Sequence, residues 1–360
     1  MNNLTWLLKR EFWEHRGGFF WAPVWIGIAL LTLTLLSLIA GEVGLMVHGS
    51  RGSFEVNGVA TNLSDMLAHV GPKQVEQAAA ALAGSLYGLG SLFTLVIGIV
   101  LFFYLLGALY DDRRDRSVLF WKSLPVSDAA TVISKALMAI TLIPLLVFAI
   151  FLATWLLLLV MMSVAVLLHG GSPWQLIWGQ GNLLPLLTLQ IATLPAHMLF
   201  ALLTAGWLLL CSAWVRSKPF LWAVLTPVLV GIANGWIGLM GMPNVPARLM
   251  WGEGIKRLLL GTIVGPPNEI VAQAAFGRNH RDVVDWSLAW HGVADIYATP
   301  GMWIGAAIGI AMIAGAVWFR RRNSSVTVRT AGAARCSASP TKLQQAPRKI
   351  TSWYSVAPAR

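Results

Sequence analysis

Six long apolar stretches constrain this chain more than any other feature. They run over 22–40, 86–109, 136–168, 183–215, 220–242 and 302–319. An α-helix rises about 1.5 Å per residue, so about 20 apolar residues cross the roughly 30 Å hydrocarbon of a bilayer. Backbone polar groups in hydrocarbon must pair within their own segment, which selects helices. Composition agrees: 57% of the 360 residues are hydrophobic and 11% are charged. A soluble domain is about 45–50% apolar and about 25% charged. Too few polar residues remain to coat a soluble globule, and disorder over most of the length is excluded by the same excess. The expected fold is an all-α polytopic membrane protein with six transmembrane helices. The third and fourth stretches are each about 33 residues. Halving either leaves pieces too short to cross twice, so each reads as one long span, with Pro144, Pro185 and Pro195 as kinks.

Lys and Arg set the expected orientation. With both termini cytoplasmic, 19 of the 26 basic residues fall inside: three before the first span, five in 110–135, two in 216–219 and nine after 319. The net charge of +11 then divides as +13 inside and −2 outside, a positive-inside pattern. The basic excess is a topology signal, and a nucleic-acid partner is not expected. The locale expected is a bacterial cytoplasmic (inner) membrane. The first span reads as an uncleaved anchor, since its apolar run exceeds a signal-peptide core. Trp21, Trp25, Trp214, Trp222, Trp303 and Trp318 lie near span ends, as interfacial anchors do. Cys211 and Cys336 stand alone, in no metal-binding or disulfide spacing.

Residues 1–18 read as an amphipathic interfacial helix. Leu4, Leu8 and Phe12 form its apolar row, and Arg10–Glu14 and Glu11–His15 are i, i+4 pairs on its wet side. Gly17 and Gly18 end it before the six-span domain, 19–322. The expected external segments are 41–85 and 243–300. In the first, Asn57-Gly58 marks a hairpin turn between 54–56 and 59–61. Pro72 opens a helical stretch that runs toward span two. In the second, apolar pieces such as 258–264 are too short to cross and read as re-entrant or interfacial. Residues 323–360 read as a disordered basic tail.

The cytoplasmic loop at 110–135 carries the most information. Alternating charge, Asp111-Asp-Arg-Arg-Asp-Arg116, leads into Val118, Leu119, Phe120, Trp121 and Leu124. Pro125 stops that piece, and Ser127 is placed to cap the next helix. Positive-inside charge accounts for the arginines. It does not account for two aromatics in a loop that faces water, which suggest a docking surface.

This loop, from Asp112 to Ser127, resembles the corresponding loop of type 2 ATP-binding-cassette exporter permeases. Leu7-Leu8-Lys9-Arg10-Glu11-Phe12-Trp13-Glu14 is similar to that family's amphipathic connecting helix. The resemblance covers about residues 1–322. It implies a permease subunit that works as a pair, either a homodimer or with a sister permease, above separate ATPase subunits. It further implies a coupling contact made by Arg113, Arg114, Asp115, Arg116, Phe120, Trp121 and Lys122, flanked by Lys9, Arg10, Glu11 and Glu14. ATP and Mg would then be bound by the partner ATPase, with no cofactor, metal or catalytic residue in this chain.

The residues themselves point the same way on energy source. The chain has no G-x-x-x-x-G-K-S/T phosphate loop. Apart from His197, no ionisable residue lies near a span midpoint, where ion-coupled carriers place theirs. Gln190, His197 and Asn234 are the polar minority of the spans, read either as interhelical hydrogen-bonders or as path contacts. Two other readings stay open: a non-transporting membrane scaffold or assembly subunit, and an intramembrane hydrolase. The hydrolase lacks a visible Ser–His, paired-Asp or zinc set. External His280, Asp282, Asp285, His291 and Asp295 form no ligand set of fixed spacing and read as solvated loop residues.

Overall fold

The computed structural model describes residues 3–47, 53–56, 59–62, 72–114, 127–179, 182–215, 217–263, 271, 273 and 284–337. It contains six helices long and apolar enough to cross a membrane: Gly17–Gly41, Glu76–Arg114, Asp128–Leu168, Leu183–Trp214, Pro219–Leu239 and Pro300–Arg322. The chain is thus an all-α, multi-pass membrane-type fold. A two-residue connection joins the antiparallel strands β1 (Ser53–Val56) and β2 (Val59–Asn62), with Val56 opposite Val59. That is the hairpin expected from Asn57-Gly58.

Helix α1 (Asn3–Glu14) leads through a π-helical turn, Gly17–Trp21, into α2 (Ala22–Val47). The two glycines widen this passage rather than ending the helix cleanly. A Cβ on Gly18 would meet Val100 Cγ1 at 2.9 Å, so glycine here permits close approach to the next span. Helix α3 (Pro72–Ala108) starts at the expected proline and runs unbroken through the second span. The expected external boundary at residue 85 therefore falls inside a helix. A short α4 (Tyr110–Arg114) follows.

The third apolar stretch is one continuous helical run. It comprises α5 (Asp128–Leu137), a π turn at Met138–Leu142 and α6 (Ile143–Leu168). The π turn lies just ahead of Pro144, whose missing N–H leaves a carbonyl unpaired one turn earlier. Ser127 caps α5 as expected, accepting from Ala130 N at 3.1 Å. Helix α7 (Leu183–Trp214) is also single. Pro195 lies in its interior, but Pro185 does not act as an interior kink. It sits in the first turn, where a backbone N–H has no intrahelical partner anyway. After a tight turn with Lys218 at φ 51°, α8 (Pro219–Leu239) follows.

Between α8 and α10 (Trp286–Ala298), a π-helical segment, Arg248–Ile255, continues into α9 (Lys256–Leu260). From Ile255 onward it packs against α7 and α3. Thr204 Oγ1 donates to Arg257 O at 2.7 Å and accepts from Gly261 N at 3.1 Å. The backbone at Thr262 and Ile263 fills the space where Gly98 would carry a Cβ. Arg257 is buried, donates to Gly301 O at 2.6 Å and Met302 O at 3.2 Å, and lies 4.2 Å over the Phe200 ring. The stretch from Ile255 to Ile263 is thus held against the spans by side-chain and backbone contacts.

The last helix, α11 (Pro300–Ser337), lies along α7. Gly206 and Gly309 bring the two backbones together, since a Cβ on either would strike the other helix's main chain. The helix continues past Arg322, so the tail is not irregular from residue 323. Ala-rich sequence at 331–334 extends a helix already nucleated by the span. Residues 338–360 lie outside the described residues.

The core forms two clusters. One packs Phe19, Phe93, Leu105, Val132, Ile143 and Leu208 at the end of the bundle bearing α1 and α4, the proximal end. The other packs Leu86, Trp155, Leu186, Leu189, Ile296 and Met302 toward the distal end. All six tryptophans named as span-end anchors are exposed.

Candidate functional site

At the proximal end, charged side chains from four elements meet away from solvent. Glu11 of α1 is 1% exposed and Lys135 of α5 is 3% exposed. Lys135 Nζ lies 2.9 Å from Glu11 Oε1 and 3.7 Å from Asp112 Oδ1 of α4. Tyr104 donates to Glu11 Oε2 at 3.1 Å. Asp112 Oδ2 then meets Arg320 Nη1 of α11 at 3.2 Å, and Arg320 Nε meets Asp128 Oδ1 at 3.2 Å. The unbroken order is Glu11, Lys135, Asp112, Arg320, Asp128. Charges this secluded persist only when paired and hydrogen-bonded.

The geometry ties particular elements together. Asp112 and Asp128 stand on the two flanks of the segment 115–126, and one arginine on the last span holds both. Lys135 carries the same network to α1. Opposite, Ser212 Oγ at the end of α7 accepts from Leu109 N at 3.0 Å and Tyr110 N at 2.9 Å. Arg113 donates to Leu109 O at 3.3 Å, to Val215 O at 2.9 Å and to Ser212 O. The start of the loop is therefore stapled to α7 and its end to α11.

The residues singled out from sequence divide among several settings. Arg113 faces inward, committed to backbone carbonyls, whereas Arg114 is exposed. Asp115, Arg116, Phe120, Trp121 and Lys122 lie outside the described residues. On α1, Arg10 pairs with Glu14 at 3.2 Å on the open side, as expected, and Lys9 is exposed. Glu11 corrects the reading of the wet face. Its carboxylate turns inward to Lys135, and His15 instead approaches the Glu11 backbone carbonyl at 3.3 Å while stacking on Phe19. Leu7 is the residue of this helix buried beside it, and Leu4 is exposed. Asn234 lies away from the bundle interior. Its side chain clasps the turn after α8, with Nδ2 donating to Val245 O at 2.8 Å and Oδ1 accepting from Val245 N at 3.0 Å. Asp285 caps α10 by accepting from Ser287 N and Leu288 N. His280 and Asp282 lie outside the described residues.

Gln190 and His197 line one cavity of about 100 Å³, between α3, α6, α7 and the segment at Gly261 and Thr262. It lies where the two core clusters adjoin, and Tyr87, Phe93, Phe148 and Phe151 complete much of its wall.

Sequence reasoning passed over Lys135, Asp112, Asp128, Arg320, Tyr104 and Ser212 as site residues. A usable signal existed for Lys135, a lone cation two turns into a helix of high apolar content whose other charge, Asp128, sits at its start. Arg320 was hidden among three consecutive arginines that positive-inside charge explains equally well.

Compared with known proteins, the chain matches no protein family, no curated protein and no solved structure.

Proposed function

We propose that this chain is the membrane-spanning permease subunit of an ATP-driven exporter of the ATP-binding-cassette type, working as a pair with separate ATPase subunits. The observation that supports this reading best is the proximal charge network. A loop that transmits a push from a docked ATPase must be rigidly joined to the helices it moves. Here both flanks of the segment 115–126 are bound to α11 through Arg320 and to α1 through Lys135. The start of the loop is bound to α7 through Ser212 and Arg113. Force applied at the loop then reaches three helices through short, buried contacts instead of through a slack linker.

In this reading the exposed Arg114, with Asp115, Arg116, Phe120, Trp121 and Lys122, meets the ATPase. Arg113 serves inside as a staple. Mg and ATP bind to the partner, and the chain resides in a bacterial inner membrane with both termini on the ATPase side. The test is ATP hydrolysis in reconstituted vesicles that contain the permease and the ATPase that co-purifies with it. Arg114→Glu and Arg116→Glu combined with Trp121→Ala should abolish stimulation of hydrolysis while leaving the amount of inserted permease unchanged. Unaltered stimulation sinks the coupling assignment and favours the scaffold reading.

A further inference from the structure

The cavity at the junction of the two core clusters has no role in the coupling account, yet it is lined as a binding site. Gln190 and His197 are seven residues apart on α7, so they share one helix face, about 10 Å apart along its axis. Neither side chain has a hydrogen-bond partner among the described residues. His197 Nδ1 is buried and unpartnered. Its other ring nitrogen and the Gln190 amide are not enclosed in this way, and both residues form cavity wall.

Two threonines of the wall behave differently. Thr94 donates to Gly90 O at 3.0 Å, and Thr193 donates to Gln190 O at 3.0 Å. Those hydroxyls are satisfied by their own helices. An unpaired polar group away from bulk water costs about 1–3 kcal/mol, and hydrocarbon supplies no replacement partner. His197 Nδ1 bears that cost, and His197 Nε2 and the Gln190 amide, on one face of one cavity, are the groups left for a guest.

The wall also defines the guest. Among the described residues no Asp, Glu, Lys or Arg lines the cavity, so they offer a charged molecule no counter-ion there. Phe93 and Phe151 meet edge to face at 5.6 Å, and Phe148 lies 6.3 Å from Phe151, presenting ring surface to an aromatic body. A volume of about 100 Å³ is of the order that holds a single ring; an apolar cavity of about 150 Å³ admits benzene. We propose that this cavity binds a neutral single-ring phenol, its hydroxyl on His197 Nε2, its ring against Phe148 and Phe151, and its para position directed toward Gln190. A hydroxyl both donates and accepts, so it pairs with either imidazole tautomer. The site belongs to one copy of the chain and requires neither ATP nor a partner, so it stands or falls apart from the exporter reading.

The experiment is photolabelling of the purified full chain in lipid nanodiscs. The probe is a phenol with a slim azide in the para position, and the control is the matching azidotoluene without the hydroxyl. The phenol should label peptides containing Phe151 or Gln190 about tenfold more than the toluene does, the worth of one hydrogen bond. Excess unlabelled phenol should remove that label. His197→Leu should erase the difference between the two probes. Gly90→Leu should suppress labelling by filling the cavity, since a Cβ at Gly90 would stand 3.6 Å from Phe151 Cζ and 3.7 Å from the Gln190 amide. Equal labelling by both probes on the wild-type chain, or label confined to lipid-facing positions, overturns the proposal whether or not either variant folds.

Discussion

Replacing Lys135 by Met tests the buried network at its most enclosed point. The lysine and Glu11 side chains are 4% and 2% exposed, with Nζ and Oε1 2.9 Å apart. Water and salt therefore screen this pair little. Removing the ammonium leaves Glu11 with the Tyr104 hydroxyl alone, whereas Asp112 keeps Arg320. Breaking one partner out of such a pair costs about 3–5 kcal/mol, because a charge is left buried without compensation. Removing both charges together costs much less. Lys135→Met combined with Glu11→Gln should lie within about 1–2 kcal/mol of wild type, since glutamine still pairs with Tyr104. The open pair Arg10–Glu14, with side chains 30% and 52% exposed, provides the contrast. Glu14→Gln should change stability by no more than about 0.5 kcal/mol. The assay is reversible unfolding in mixed micelles followed by tryptophan emission. If Lys135→Met is as mild as Glu14→Gln, or if Glu11→Gln fails to restore the double variant, the network does not hold the proximal end together.

Three further outcomes follow from the packing. Gly309→Ala should destabilise by several kcal/mol in the same assay, because its Cβ would meet the α7 backbone at Leu202, which has no flexible group to yield. Gly41→Ala should be neutral or stabilising by up to about 1 kcal/mol, since nothing lies within 4 Å of its Cβ site in a helix. Ser212→Ala should cost about 1–3 kcal/mol by leaving the Leu109 and Tyr110 amides without their acceptor. It should also loosen the start of the loop, read as faster hydrogen exchange at 109–114.

The spans were legible because burial in hydrocarbon acts on composition directly. Six apolar runs became six long helices, and Pro72, Ser127 and Asn57-Gly58 marked their local structures through chemistry confined to a few neighbouring residues. Pro185 was misread because an apolar run does not reveal which turn of a helix a proline occupies. Glu11 was misread for a related reason. An i, i+4 pattern shows which residues share a face, but not that a lysine 124 positions later will approach that face. Arg257 had no local sign either; its burial depends on packing against the start of α11 and on Gly305, whose missing Cβ leaves room for the guanidinium. The candidate site was thus half visible. The loop could be found from its own residues, whereas the network joining it to α1, α7 and α11 arises only when distant segments pack.

The proposal that a separate ATPase drives this permease is tested most directly by purifying the full chain from its native membrane in mild detergent and measuring ATP hydrolysis in the product. An ATPase subunit is expected in fixed stoichiometry with the chain, hydrolysing ATP, and lost when Arg114→Glu, Arg116→Glu and Trp121→Ala are combined. A monodisperse, correctly inserted chain that carries no ATPase and no hydrolytic activity would contradict it.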